Sequence, residues 1–414
     1  MKWFIGVFLS IIFFSCVKNK EVSKVDYFRQ SAEYELTKSI WMQWPNYTHK
    51  FNSPVEPLII SMIKEITPFA SVQLMIARKD LEKEIREKFR TAKIDTNKIT
   101  FQLIDYSEFW TRDMGPRFTI NNKGEKKIVD FGFNTWSYLD EKDSLAVLDE
   151  KVDEKIAKRL KLSVLSSDLI VEGGDNEISR EGILMLTESV QKKRNPHLSL
   201  KEIENKYRNM IGARSFIWFR KGLKDDDYTL NGAIKGLNGE PLFTCLTTNG
   251  HVDEYARFAN DSTILFAKGN ERAVHPVEKE TNTRMGINEK ILRNSTRLNG
   301  QPFNIIYLPL VPVIISNMNQ EDGTYQVLQN SKFADSYPYG LQNRPEKMIA
   351  AASYLNFVII NELVLVPHYG IKEDNEAMIA FKKAFPNKKI VPLNPISLNW
   401  GGGGMHCITQ NEPY

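Results

Sequence analysis

From about residue 26 to the end, short strand-like runs alternate with helix-like runs, and this alternation limits the fold more than any other feature. Strand-like runs fall at 40–44, 72–77, 128–131, 164–171, 183–186, 216–219, 263–267, 304–308, 357–360, 363–366 and 389–392, rich in β-branched and aromatic residues. Apolar residues at helical spacing mark 56–67, 81–90, 144–160, 200–210, 283–293 and 374–385. The runs 357–360 and 363–366, joined by Asn361-Glu362, read as a hairpin. Strands interleaved with single helices predict mixed sheets with helices outside, an α/β fold. The pattern is continuous and without repeats, so residues 26–414 are read as one domain.

The chain is long enough, at 414 residues and 42% hydrophobic, to bury a sizeable core. With 55 Lys+Arg against 51 Asp+Glu, its charge of +4 is too close to neutral, and its basic residues too scattered, for a nucleic-acid partner. The N-terminus differs from the rest. Lys2 precedes an almost wholly apolar run from Trp3 to Phe14, followed by Ser15-Cys16. That run is too short to span a bilayer and fits a signal-peptide core. Residues 1–15 are therefore expected to be a signal peptide. Cys16 resembles the acylated first residue of a bacterial lipoprotein, and 16–25 form a polar tether. The expected location is outside the inner membrane, with the membrane met only through the N-terminal lipid. Cys245 and Cys407 are the other cysteines. Cys245, between Thr244 and Leu246, reads as a small buried apolar residue.

Four clusters carry candidate chemistry. Residues 110–116 read Trp-Thr-Arg-Asp-Met-Gly-Pro, 172–177 Glu-Gly-Gly-Asp-Asn-Glu, 250–255 Gly-His-Val-Asp-Glu-Tyr, and 401–410 Gly-Gly-Gly-Gly-Met-His-Cys-Ile-Thr-Gln. On an extended segment His251 and Asp253 would share one face, while Val252 points into packing. Four consecutive glycines suit a backbone that a ligand or neighbour approaches closely, and Cys407 follows them as a presented thiol. His406 diverges from Cys407 on extended chain and reads as a supporting residue. No C-x-x-C or H-E-x-x-H spacing points to a metal, and neither a P-loop nor a dinucleotide fingerprint is present.

Together the clusters resemble the agmatine deiminase and Porphyromonas-type peptidylarginine deiminase family of the guanidino-group-modifying superfamily. Also matching are 41–45, Arg194-Asn195-Pro196 and 352–357, in the family's order. The resemblance implies a five-bladed pseudo-symmetric α/β propeller, the pentein fold, with a central active site. It implies hydrolysis of a guanidino group, in agmatine or in peptidyl-arginine, without metal or organic cofactor. Cys407 would attack the guanidinium carbon, and His251 would serve as general acid and then base. Asp113 and Asp253 would hold the planar cation. Trp110, Glu172 and Asp175 are the further expected substrate contacts, Trp110 through a cation–π face. Two carboxylates beside Cys407 should oppose its ionisation until a cationic substrate binds. Where the agmatine enzymes continue toward Asp-Gly-x-Gly-Thr, this chain reads Asp175-Asn176-Glu177-Ile178-Ser179, so the substrate-tail region differs. Residues 228–249 are longer than the usual link and read as a loop at the site mouth. An amidinotransferase of the same superfamily and a guanidine-binding lipoprotein without turnover are the alternatives.

Overall fold

The computed structural model describes residues 27–45, 54–330 and 347–414. The expected signal peptide, Cys16 and the tether lie outside the described residues. The α/β expectation holds, with six small sheets among the described residues. Five share one pattern, in which a first strand runs antiparallel to a middle strand and the middle strand parallel to a third. They are Gln410–Pro413, Thr37–Gln43 and Ser71–Ile76; Arg117–Ile120, Lys126–Gly132 and Val164–Ile170; Glu177–Ile178, Ile183–Thr187 and Ser215–Phe219; Ala256–Asn260, Thr263–Lys268 and Asn304–Pro309; and Val358–Ile360, Leu363–Pro367 and Lys389–Leu393. Ile99–Leu103 and Arg29–Gln30 extend the first two at their edges. Ile183–Thr187 and Leu363–Pro367 are buried throughout, as strands covered on both faces must be.

Local sequence explains the helices. Glu56–Ile66 starts with Glu56 and a proline in its first turn, and buries Leu58, Ile59, Met62, Ile63 and Ile66 along one stripe. Ser199 and Glu202 form a reciprocal capping box at the start of Leu200–Ile211, and Gly212, in the left-handed region at φ 70°, ends it. Two expectations need correction. The run 144–160 breaks at Lys151 into Ser144–Glu150 and Val152–Leu160, which turns Asp149 inward to accept the backbone N–H groups of Ser107 and Glu108. The segment 228–249 is more than a loop. Its strands Ile234–Lys235 and Pro241–Thr244 join Lys347–Ile349 and Ile315–Asn317 in the sixth sheet.

One regularity positions the site. In each of the five like sheets, the segment entering the first strand carries site residues. Thr111–Met114 precedes Arg117, Gly173–Asp175 precedes Glu177, and Val252–Glu254 precedes Ala256. Asn356 likewise precedes Val358, and His406-Cys407 precede Gln410.

Candidate active site

These segments bring Asp113, His251, Asp253 and Cys407 together around Gly174. The N–H of Gly174 donates to Asp113 Oδ1 at 2.9 Å. A Cβ on Gly174 would overlap His251 Nδ1 and lie 3.1 and 3.2 Å from the two carboxylate oxygens of Asp253. Cys407 Sγ stands 3.9 Å from Asp253 Oδ2 and accepts from Asn356 Nδ2 at 3.2 Å and from the N–H of Gly404 at 3.4 Å. A cavity of about 650 Å³ opens beside the thiol, lined by Trp110, Asp113, Trp136, Tyr138 and Leu246 among others.

Close neighbours explain two glycines of the run. Gly402 has φ 97°, and a side chain there would meet the Leu246 carbonyl. A Cβ on Gly403 would crowd the Trp110 ring at 2.8 Å and Cys407 Sγ at 3.1 Å. Arg112 braces the far side, donating its N–H to the Cys407 carbonyl at 2.9 Å and pairing with Glu33 at 2.5 Å. Among the described residues Cys245 and Cys407 are both free thiols. Cys245 is buried, as read, and its S–H donates to the Ile349 carbonyl at 2.9 Å.

His251 and Asp253 do converge, but not by strand alternation. Val252–Glu254 is a 3₁₀ turn, not an extended segment. Asp226 builds that turn, accepting the N–H of Thr248, Gly250 and His251 at 3.2, 2.8 and 3.1 Å. Gly250 has φ 108°, and Gly222 packs where a side chain would be.

Electrostatics divide the roles. Burial works against a charge on His251, but Asp113 and Glu172 outweigh it and push the imidazole up to about 10. Burial would raise Glu172, yet Arg194 and His251 hold it down at about 2. His251 Nε2 meets Glu172 Oε2 at 2.7 Å, and Arg194 Nη2 donates to the same oxygen at 3.1 Å. Burial raises the Cys407 thiol well above its ordinary value, with Asp253, Glu254 and Asp113 adding to it. Burial likewise raises Asp113, which His251 partly offsets. Against burial, His406 keeps Asp253 below the usual carboxylate range. At neutral pH these directions favour a protonated imidazole, a neutral thiol and an anionic Asp253.

The remaining expected contacts fall differently. Glu172 lies behind His251, as a brace. Asp175 does not face the cavity, because Thr187 N at 3.0 Å, Val252 N at 3.2 Å and Gln191 Nε2 at 2.9 Å take its oxygens. It ties three segments together, and the expectation of a substrate contact there is corrected. Trp110 lines the cavity and stacks on Phe109, with ring centroids 4.9 Å apart.

Sequence reasoning missed Asn356, Glu33 and Trp136. Asn356 falls in the matching stretch 352–357 but is not singled out there as a site residue, yet it spans the centre. Its Nδ2 points to Asp253 Oδ2, Glu254 Oε1 and Cys407 Sγ at 3.2, 2.8 and 3.2 Å, while Oδ1 accepts the His406 N–H at 2.8 Å. His406, expected as a supporting residue, lies between Asp253 Oδ2 at 2.6 Å and Glu33 Oε1 at 2.8 Å. Glu33, Glu177 and His406 form a group whose ligand atoms are close enough for a metal ion. Arg112 and Arg257 already supply positive charge to its carboxylates, so the donors form an ion-pair network.

The model of the Porphyromonas-type peptidyl-arginine deiminase family matches residues 29–413. The chain belongs to that family. An agmatine deiminase of Pseudomonas aeruginosa is 26% identical over 94% of this chain and 96% of its own length. The agmatine deiminase structure from Enterococcus faecalis superposes with a TM-score of 0.71 at 24% identity, covering 93% of this chain and 96% of that one. An agmatine deiminase of C. jejuni gives a TM-score of 0.67 at 21% identity, with 94% and 96% covered. The family's expected clusters at 110–116, 172–174, 250–253 and 401–407 all reach the one site described above.

Proposed function

We propose that this deiminase-family chain hydrolyses a guanidino group to a ureido group and ammonia, with Cys407 as nucleophile. The observation that carries the reading is Asp253 Oδ1, a buried carboxylate oxygen with no hydrogen-bond partner among the described residues. Its sister oxygen is held by His406 and Asn356. An orphaned acceptor beside a thiol and a second carboxylate calls for a flat cationic donor, and a guanidinium presents N–H groups in that geometry. Its positive charge also reverses the obstacle at Cys407, where burial and neighbouring anions oppose thiolate.

In the reaction, the Cys407 thiol gives up its proton to solvent as the cation binds, the thiolate attacks the guanidinium carbon and a C–S bond forms. His251, protonated at neutral pH, gives its proton to the departing nitrogen as the C–N bond breaks and ammonia leaves. The neutral imidazole then takes a proton from water, which attacks the S-alkylthiouronium carbon. Rupture of the C–S bond releases the ureido product and the thiol. No metal or organic cofactor enters the scheme.

The five like sheets, each giving one entering segment to the site, support a five-bladed pseudo-symmetric propeller around it. The substrate is a small guanidine such as agmatine, as the relatives' names favour, or an arginine peptide. We further propose that Cys16 is lipidated and holds the enzyme outside the inner membrane, which the apolar run before it supports. Cys16→Ser should free the protein from membranes; wild-type protein in the cytosol with its leader intact would refute this.

The purified protein should be incubated with agmatine, free arginine and arginine peptides, and ureido product and ammonia measured. Equal amounts of both from at least one substrate are expected. Release of ammonia from none would overturn the reading, and transfer of the amidino carbon to added glycine or ornithine would make it an amidinotransferase.

A further inference from the structure

Asp113 Oδ1 is fixed by the backbone at Gly174, but Oδ2 is fixed by a side chain from elsewhere. Trp136 donates its indole N–H to Asp113 Oδ2 at 2.8 Å. The ring is half-buried, meets Phe133 edge-on at 5.0 Å and lines the cavity. Among the described residues each Asp113 oxygen thus has one donor and keeps a second lone pair, with the carboxylate plane set by both.

The backbone that presents Trp136 is unusual. Thr135, Trp136 and Ser137 have φ of 49°, 54° and 65°, three successive side-chain-bearing residues in the left-handed region. Ser137 N donates to the Asn134 carbonyl at 2.9 Å and Tyr138 N to Thr135 at 3.0 Å, closing one left-handed turn. L-residues do not hold such a turn unaided, and persisting strain of this kind needs surroundings that over-determine it.

Those surroundings come from the segment beginning at residue 228. Tyr228 O–H donates to the Ser137 carbonyl at 2.6 Å, and its ring stacks on Tyr138 at 4.6 Å. Tyr138 O–H donates to the Thr247 carbonyl at 2.8 Å. Lys193 Nζ lies over the Tyr228 ring, 3.1 Å from its centroid.

We propose that Trp136 is a positioning residue for the guanidinium-holding Asp113, and that Tyr228 clamps the left-handed turn that keeps it there. This rests on the deiminase reading above. The segment at 228–249 thereby shapes how tightly the cationic end of a substrate is held. Asp113 meets the cation in the ground state and the transition state alike, so loosening it raises KM more than it lowers kcat.

The test is steady-state kinetics on full-length protein with agmatine, or with the arginine peptide it best turns over. Trp136→Phe keeps the ring and removes the donor. It should raise KM about tenfold, as loss of a hydrogen bond to a charged group does, with kcat within threefold of wild type. Tyr228→Phe is a smaller change that loosens the turn without replacing a residue of the site, and should raise KM about threefold. The double variant should be no worse than Trp136→Phe alone, because both act through one contact. A Trp136→Phe enzyme with wild-type KM would overturn the proposal, as would a double variant whose effects multiply. If Trp136→Phe does not fold, an unchanged KM in Tyr228→Phe would overturn the clamp by itself. Wild-type protein without turnover of any guanidino substrate would instead sink the deiminase reading, and this inference with it.

Discussion

Replacing Asp253 with Asn keeps the shape of the side chain and removes one buried negative charge. The amide oxygen can stay toward His406, where Oδ2 now stands at 2.6 Å. The amide NH₂ then takes the place of the unpartnered Oδ1 and points a donor at the donors of the substrate. Losing a charge-assisted contact to a desolvated ion costs about 2–5 kcal/mol, so kcat/KM should fall about thirtyfold or more. The same change should make free Cys407 more reactive. Its sulfur is 3.9 Å from Asp253 Oδ2, and a unit charge at ~4 Å is worth about 4 kcal/mol at an effective dielectric constant of ~20. Screening by His406 and Arg257 reduces that figure, and alkylation by a neutral reagent at pH 6 should still quicken by roughly tenfold. The assay pairs iodoacetamide labelling, corrected with a Cys407→Ala control for other thiols, with ureido-product kinetics. Faster alkylation with slower deimination is the expected pair of results. Wild-type values for both would show that Asp253 does not face the thiol and the substrate.

Gly174→Ala places a methyl group against His251 Nδ1 and both Asp253 oxygens, so activity should drop about a hundredfold while far-UV circular dichroism stays near wild type. Retained activity would mean that the centre is not closed around Gly174. His251 is raised to about 10 in the folded protein, so its stabilising contribution is complete below its ordinary value of 6.5 and is lost as pH rises through about 10. Tm should therefore decline between pH 6.5 and 10, and His251→Gln should flatten that decline. Glu172 is held at about 2, and its contribution is present above its ordinary value of 4.5 and lost as pH falls toward 2. Glu172→Gln should accordingly reduce the loss of Tm on acidification, read on the same melting curves. His406→Asn frees Asp253 Oδ2 from its 2.6 Å brace, and kcat/KM should fall about tenfold in steady-state assays.

The residues that bear the chemistry were legible because that chemistry restricts composition. A thiol after four glycines, a His two positions from an Asp, and an Asp before Met-Gly-Pro all reached one centre. Middle strands such as Ile183–Thr187 and Leu363–Pro367 were legible for a different reason, as continuous apolar runs. First strands such as Ala256–Asn260 and Gln410–Pro413 were missed, since they mix polar residues and owe their form to pairing with the next strand. The turn at Val252–Glu254 hid behind the same limitation. His251 and Asp253 share a site because Asp226 gathers the backbone N–H groups before them, a contact across 25 residues between His251 and Asp226. Asp175 looked like a ligand because it follows Glu172-Gly173-Gly174, but only its three partners reveal a brace. Trp136 had no signal at all, because its place depends on a left-handed turn held by residues far along the chain.

In the proposed reaction Cys407 forms a covalent bond to the guanidinium carbon. Enzyme mixed with saturating guanidino substrate, quenched in acid during turnover and digested, should yield a Cys407 peptide heavier by the substrate less one ammonia. That adduct should be missing from Cys407→Ala, together with all ureido product, and should form far more slowly in His251→Gln, where ammonia departs without its acid. Cys407→Ala protein that still releases ammonia, with no adduct at Cys407 in wild type, would contradict the account.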